Sequence, residues 1–138
     1  AETEKLINAL GIGSRVMLLG YRKDIPDLMN AFDIFLMPSK MEGLGTSVLD
    51  AMSLGIPVVS TNAGGITEAV QNDVNGIVVE KQNPEAFAEA IDTMMNRPEL
   101  RERFSQNALK VVKIFDIKRT VSKNIELYRS ILTEGNSK

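Results

Sequence analysis

The 138-residue sequence predicts an open, mostly parallel α/β sheet of about four strands, flanked by helices and followed by a helical C-terminal segment. Two observations predict this fold. Short apolar runs without polar alternation recur along the first 80 residues, as in strands that are covered on both faces. Segments with apolar residues at helical spacing separate these runs, so strands and helices are expected to alternate. Ligands bind at the carboxyl ends of the strands in such sheets, and the loops there are the candidate sites.

The first part of the chain is predicted to form two helices and two strands. Glu4–Leu10 has the spacing of a short helix, which stops near Gly11. Val16–Leu19 is a continuous apolar run that indicates the first strand. Ile25–Phe32 is again helical in period, and Asp33–Met37 is the second strand, which stops at the following proline.

The middle of the chain continues the alternation. Thr46–Leu54 has helical spacing and ends at Gly55, a common type of residue at helix ends. Pro57–Thr61 and Gly76–Val79 are the third and fourth strands, and the segment between them, Gly65–Val70, is a short helix. Successive strands are therefore joined by helical crossovers, as parallel pairing requires.

The remainder of the chain is predicted to be helical. Pro84 is well placed at a helix start with Asn83 as its cap, and Asp116 is a suitable cap for the last helix. The tail Glu134–Lys138 is expected to fray. Apolar residues recur at helical spacing in three groups: Phe87, Ala88, Ile91 and Met95; Leu100, Phe104, Ala108 and Val111; and Ile117, Val121, Ile125, Tyr128 and Leu132.

The composition excludes several classes of function. The chain has no cysteine and no histidine, which removes disulfides, thiolate metal sites and the commonest general base. With 16 basic and 18 acidic residues and 5% aromatic residues, it lacks the basic, aromatic surface of a nucleic-acid groove. A chain without cysteine is compatible with a reducing compartment, and acidic residues among positions 1–10 do not fit a secretory signal. A cytoplasmic protein is therefore expected.

Five basic residues gather late in the chain, around the predicted start of the last helix. We interpret them as a solvated helix face, and contact with an anionic membrane surface is the alternative. Such contact would place the protein at the cytoplasmic face of a membrane. The residues are Lys110, Lys113, Lys118, Arg119 and Lys123.

The loop after the second strand combines glycines, a carboxylate and a helix start. Gly43 and Gly45 let the backbone approach a ligand, and the helix from Thr46 offers unpaired N–H groups and the positive end of its dipole. This combination predicts a phosphate seat, and a turn that needs glycine for geometry alone is the alternative. Glu42 and Asp50, eight residues apart, have oxygens suited to sugar hydroxyls. Their simpler interpretations are a helix-dipole partner and a solvated helix residue.

Several short segments occur in an order that is more specific than any one of them. They are Gly20-Tyr21-Arg22 with Asp24, Pro38-Ser39, Glu42-Gly43-Leu44-Gly45, Leu49-Asp50-Ala51-Met52, Gly55-Ile56-Pro57-Val58-Val59, Gly64-Gly65 with Glu68, and Asn75-Gly76-Ile77-Val78-Val79. Together they resemble the family 4 retaining glycosyltransferases, from about Leu6 to Tyr128. The resemblance implies a B-type protein of two Rossmann-like domains, of which this chain is the C-terminal one that binds the nucleotide-sugar donor.

The resemblance implies roles for the loop and for the helix that follows it. Glu42 would be the catalytic residue that contacts hydroxyls of the donor sugar. Asp50 would bind the ribose of the nucleotide, at a position where glutamate is usual and reaches one methylene further. The diphosphate would be faced by the backbone N–H groups of Gly43, Leu44 and Gly45 and by the helix start at Thr46.

The resemblance also implies roles outside this loop. The turn Tyr21-Arg22-Lys23 would lie by the nucleobase. We interpret Gly64-Gly65 and Glu68 as a tight strand-to-helix turn with a helix-stabilising acid, and direct ligand contact is the alternative. The implied reaction is electrostatic transfer of a sugar with retention, from a nucleotide-diphosphate sugar, without a metal or other cofactor.

Two parts of the family's pattern have no match in this chain. One is an earlier segment of the same domain, whose Arg and Lys bind the donor phosphates, and the other is the N-terminal acceptor-binding domain. Without both, the chain alone is expected to bind donor weakly and to be inactive. In the strand order 3-2-1-4-5-6, the predicted strands match the third to sixth. We favour two missing strands between Val16–Leu19 and Asp33–Met37 over direct pairing of these segments.

The leading hypothesis is thus the donor-binding half of a glycosyltransferase. The enzyme alternative is an epimerase on the related two-domain scaffold, which usually relies on histidine and other acid–base residues. The alternative without catalysis is a nucleotide-binding or oligomerising module. Consumption of a nucleotide sugar by the full-length protein separates the transferase from this module.

Overall fold

The computed structural model describes residues 2–135, and its centre is a parallel sheet of three strands. β1 is Phe35–Met37, β2 is Val58–Thr61 and β3 is Gly76–Val79, and they lie in that order across the sheet. The register aligns the first residues of all three strands, so their carboxyl ends meet at one edge. The predicted open, parallel α/β architecture is confirmed.

Helices lie before, between and after the strands. Their bounds agree with the predicted ones to within a few residues. The last helix reaches Gly135, so it includes the start of the tail Glu134–Lys138 that was expected to fray, and residues 136–138 lie outside the described residues. The helices are α1 Glu2–Ala9, α2 Ile25–Met29, α3 Thr46–Ser53, α4 Ile66–Ala69, α5 Pro84–Asn96, α6 Pro98–Val111, a 3₁₀ turn at Val112–Phe115, and α7 Ile117–Gly135.

Both predicted helix caps are confirmed. The Asn83 side chain accepts a hydrogen bond from the backbone N–H of Ala86 at 3.0 Å, at the start of α5. The Asp116 carboxylate accepts one from the backbone N–H of Lys118 at 2.8 Å, at the start of α7. Each cap satisfies an N–H group that the first turn of a helix leaves unpaired, so it fixes where the helix begins.

Val16–Leu19 is not a strand, so the prediction of a first strand there is wrong and three of the four predicted strands are found within the described residues. Its side chains are 38–80% exposed, and within residues 2–135 it pairs with none of the three strands. A strand exists through hydrogen bonds to a neighbour, and an apolar run by itself supplies none. Direct pairing of this segment with β1 is therefore not found, while a gap filled by further strands stays a prediction.

β2 is buried along its whole length and has a hydrophobic core on each face. Val58 belongs to the larger core, which includes Met52 of α3 and Ile66 of α4. Val59 belongs to the second core, with Met94 of α5. Successive side chains of a strand point to opposite faces, so neighbouring valines reach different cores. The unbroken apolar run in the sequence predicted this burial on both faces.

α7 has the predicted apolar spacing but does not bury it. Every side chain from Ile117 to Thr133 is exposed, and the main contacts of α7 are with the preceding 3₁₀ turn. Periodicity therefore predicted this helix without predicting a surface for it to pack on. No helix within residues 2–135 is long and apolar enough to span a membrane. The apolar stripe of α7 has side chains between 44% and 70% exposed and consists of Ile117, Val121, Ile125, Tyr128 and Leu132.

Candidate functional site

Two loops meet at the carboxyl edge of the sheet, where ligands bind in open α/β folds. The glycine loop, residues 38–45, follows β1 and leads into α3. The diglycine turn, residues 62–65, follows β2 and leads into α4. The predicted site residues Glu42, Gly43, Leu44 and Gly45 all lie in the glycine loop, so the structure places them together at this edge.

The glycine loop is hydrogen-bonded to the end of the central strand. The hydroxyl of Thr61, which is buried, donates to the backbone carbonyl of Ser39 at 2.6 Å. A longer and weaker bond runs from the N–H of Gly65 to the carbonyl of Glu42 at 3.4 Å. The position of the loop is therefore set by β2 and by the turn that follows it.

The diglycine turn touches the glycine loop backbone to backbone. A Cβ atom added at Gly64 would lie 2.1 Å from the carbonyl oxygen of Glu42, and one at Gly65 would lie 2.0 Å from that of Gly43. Both distances are far inside van der Waals contact, so neither position has room for a side chain. The glycine pair thus has the structural role that the strand-to-helix turn implied, and Glu68 lies in the first turn of α4.

Glu42 presents its carboxylate at the surface of this loop. The side chain is half-buried, and its Oε1 accepts a hydrogen bond from the Ser39 hydroxyl at 3.1 Å. Ser39 also lines a cavity of about 400 Å³ between the loop and α5, which includes Phe87 and Ile91. A carboxylate accepts several hydrogen bonds, so Glu42 has oxygens left for the hydroxyl groups of a ligand.

The start of α3 is open to an anion. Gly45 precedes the helix with φ at +70°, a left-handed conformation that favours glycine, and α3 has no side-chain cap there. Gly43, Leu44 and Thr46 are exposed beside it. Uncapped N–H groups and the positive end of the helix dipole together suit a phosphate group, and phosphate binding at this helix start stays a prediction.

Asp50 lies on the exposed surface of α3, between two clefts. The first, of about 200 Å³, is also lined by Ile25 and Pro26 of α2. The second, of about 430 Å³, is also lined by Thr46 and, across it, Lys113 of the 3₁₀ turn. The Asp50 carboxylate is thus accessible from a groove that continues from the start of α3.

The turn Tyr21-Arg22-Lys23 is exposed and ends next to α2. One edge of the Arg22 guanidinium donates to Asp24: Nε donates to Oδ1 at 2.8 Å, and Nη2 donates to Oδ2. The hydrogen bonds from Arg22 lower the pKa of Asp24, because they stabilise its ionised carboxylate. The turn precedes α2, whose residues Ile25 and Pro26 line a cleft with Asp50. Within residues 2–135, the Arg22 side chain forms hydrogen bonds with Asp24 and none with the glycine loop.

A family match accounts for this arrangement. The model of the family described as glycosyl transferases group 1 matches residues 1–111, which include both loops and Asp50. The chain belongs to the group 1 glycosyl transferases. The resemblance of the sequence to glycosyltransferases is thereby confirmed.

Individual relatives of this glycosyl transferase agree with the family. It is 32% identical over 109 residues to an alpha-D-kanosaminyltransferase of Streptomyces kanamyceticus, covering 78% of this chain and 28% of the relative. The crystal structure of Anabaena HepE in complex with UDP is 31% identical, with a TM-score of 0.84 over 96% of this chain and 36% of HepE. The C-terminal domain of a Francisella tularensis group 1 glycosyl transferase is 28% identical, with a TM-score of 0.73 over 84% of this chain and 62% of that domain.

The glycosyl transferase chain spans about a third of the length of the curated relatives it matches, with shares of 28%, 31% and 31% in three of them. Besides the kanosaminyltransferase, the other two are named UDP-Gal:alpha-D-GlcNAc-diphosphoundecaprenol alpha-1,3-galactosyltransferase, of Escherichia coli, and D-inositol 3-phosphate glycosyltransferase, of Corynebacterium urealyticum. The family assignment favours the transferase over the epimerase alternative.

Sequence reasoning missed two residues of this candidate site. The sequence places Ser39 in the Pro38-Ser39 motif without a role, and it places Thr61 only at the end of a predicted strand. The signal for Ser39 was a hydroxyl three residues before a carboxylate, which permits a local hydrogen bond in a compact loop. Nothing in the sequence indicated the bond between Thr61 and Ser39, because those residues lie 22 positions apart.

Proposed function

We propose that this chain is the donor-binding, C-terminal half of a family 4 retaining glycosyltransferase with two Rossmann-like domains. The observation that carries the proposal is the glycine loop, with Glu42 beside the uncapped start of α3 at the carboxyl edge of a parallel sheet. HepE, which matches 96% of this chain, has been crystallised with UDP and with UDP-glucose. The matching Francisella structure is of a C-terminal domain.

In the proposed reaction, a sugar moves from a nucleotide diphosphate to an acceptor with retention of configuration. The backbone N–H groups of Gly43, Leu44 and Gly45 and the start of α3 at Thr46 stabilise the departing diphosphate. Glu42 orients the sugar by accepting hydrogen bonds from its hydroxyl groups. Because N–H donors and the helix dipole face the developing charge, the scheme requires no metal ion.

The remaining parts of the scheme involve groups outside this site. We assign acceptor binding to an N-terminal domain, and phosphate-binding Arg and Lys to an earlier segment of the donor domain, so that this chain alone is inactive. We place the enzyme in the cytoplasm and interpret its basic cluster as a solvated helix face, with contact with an anionic membrane surface as the alternative. The members of this cluster, all exposed, are Lys110, Lys113, Lys118, Arg119 and Lys123.

Asp50→Ala in the full-length protein is expected to weaken binding of UDP by about 1–3 kcal/mol, the contribution of a hydrogen bond to a charged group. The exposed carboxylate on the groove from α3 would accept bonds from the ribose hydroxyls. Asp50→Glu is expected to keep or improve the affinity, because glutamate reaches further. Titration calorimetry measures the three affinities.

Asp92→Ala is the matched control for Asp50, because it removes an exposed carboxylate from α5. It is expected to leave the affinity for UDP unchanged. Equal affinities of the wild type and Asp50→Ala would mean that Asp50 is a solvated surface residue.

The experiment that tests the proposed function is incubation of the full-length protein with UDP-glucose, followed by separation of the nucleotide products. Release of UDP supports a transferase. Conversion of the nucleotide sugar to an isomer without UDP release identifies an epimerase, and binding without either product identifies a nucleotide-binding module. A thermal-shift series with UDP, GDP and ADP tests the nucleobase, which we place beside the turn Tyr21-Arg22-Lys23.

A further inference from the structure

The Ser39 hydroxyl lies between the rigid sheet and the Glu42 carboxylate. This hydroxyl donates to Glu42 Oε1 at 3.1 Å, and the backbone carbonyl of Ser39 accepts from the Thr61 hydroxyl at 2.6 Å. Thr61 is the last residue of β2 and is 6% exposed, so it is fixed by the core. Two hydrogen bonds therefore connect the central strand to the carboxylate.

We propose that Ser39 is a positioning residue, which holds the Glu42 carboxylate in the orientation that contacts the donor sugar. This proposal rests on the proposed function, in which Glu42 orients that sugar. A glutamate side chain has three rotatable bonds, and a half-buried one on a loop adopts several orientations unless a partner selects one. The Ser39 bond occupies one acceptor position on Oε1, so Oε2 and the remaining position face the ligand.

The cavity beside Ser39 makes a conservative replacement informative. Ser39 lines the space of about 400 Å³ between the glycine loop and α5, so the extra methyl group of threonine has room there. Ser39→Thr keeps the hydroxyl and its ability to donate to Glu42. Ser39→Ala removes the donor, while the backbone carbonyl that Thr61 holds stays in place.

The test is steady-state kinetics of the full-length enzyme with UDP-glucose, for wild type, Ser39→Ala and Ser39→Thr. We expect Ser39→Ala to lower kcat by about 10- to 100-fold, as for a lost hydrogen bond to a charged group, while the affinity for UDP, which has no sugar, changes by less than about twofold. Ser39→Thr is expected to restore most of the kcat. Ser130→Ala, which removes an exposed hydroxyl on α7, is the control and is expected to keep wild-type kinetics.

The double variant Ser39→Ala/Glu42→Gln separates positioning from general support of the loop. If Ser39 acts through Glu42, the double variant is no slower than Glu42→Gln alone. If the losses in kcat of the two single variants multiply in the double variant, Ser39 does not act through Glu42. A wild-type kcat of Ser39→Ala, with Glu42→Gln impaired, has the same meaning. Either result would overturn the role of Ser39 and leave the proposed function intact. Wild-type turnover of Glu42→Gln would instead contradict the proposed function itself.

Discussion

Glu42→Gln in the full-length enzyme is expected to lower turnover by about 100-fold or more, the scale of a lost electrostatic contact in an active site. Glutamine has nearly the same size as glutamate but no charge, and an NH2 group that donates hydrogen bonds replaces one of the two carboxylate oxygens. The sugar hydroxyls would then lose the acceptor that orients them. The rate of UDP release from UDP-glucose, with the cognate acceptor present, measures the loss.

The free energy of unfolding is expected to change little in Glu42→Gln, because the side chain is half-buried on a loop and its Ser39 partner can still donate a weaker, neutral hydrogen bond to the amide oxygen. Glu89→Gln, an exposed neutralisation on α5, is the control for the loss of one charge. Near-normal turnover of Glu42→Gln would remove the catalytic assignment of this residue.

Gly65→Ala is expected to destabilise the fold by about 1–3 kcal/mol, as for overpacking of a filled site. The new methyl group would meet the carbonyl oxygen of Gly43 at 2.0 Å, and this backbone atom can move away only if the glycine loop moves with it. We also expect turnover to fall by about 100-fold, because displacement by an ångström has that cost at a reacting centre. Urea unfolding and the kinetic assay measure the two effects.

Gly13→Ala is the matched control for Gly65, since the nearest atom to its added Cβ would be 4.0 Å away, on Ile7. We expect it to keep or slightly raise stability, through the lower entropy of its unfolded state. A Gly65→Ala variant as stable and as active as Gly13→Ala would show that the two loops do not need their backbone contact.

The sequence predicted those elements whose signals are local. The bounds of β3 at Gly76–Val79 agree, and the caps at Asn83 and Asp116 form the expected hydrogen bonds. Val16–Leu19 has the same apolar character as the true strands but lacks a neighbour in residues 2–135. Strand formation depends on pairing between distant segments, which local composition does not contain.

The candidate site, like the fold, was predictable where its signals are local in the sequence. The pattern of Glu42, the glycines and a helix start predicted an anion-binding loop, and the structure places the loop and an uncapped helix start at the carboxyl edge of the sheet, while anion binding itself stays a prediction. The contact between Gly43 and Gly65 was not predictable, because it joins residues from different crossovers. A glycine in the sequence indicates freedom from steric limits, and only the fold shows which backbone approaches it.

The backbone contact between the loops has a consequence for redesign of the proposed donor site. Residues 42–45 and 64–65 form one mechanical unit, so a loop transplanted from a relative without its matching turn would collide or leave a void. Leu44 has 37% of its surface exposed, so its side chain can be varied in a library while the carbonyl oxygens of Glu42 and Gly43 stay in place. Segment exchange should therefore move both loops together, and single-site libraries should begin at Leu44.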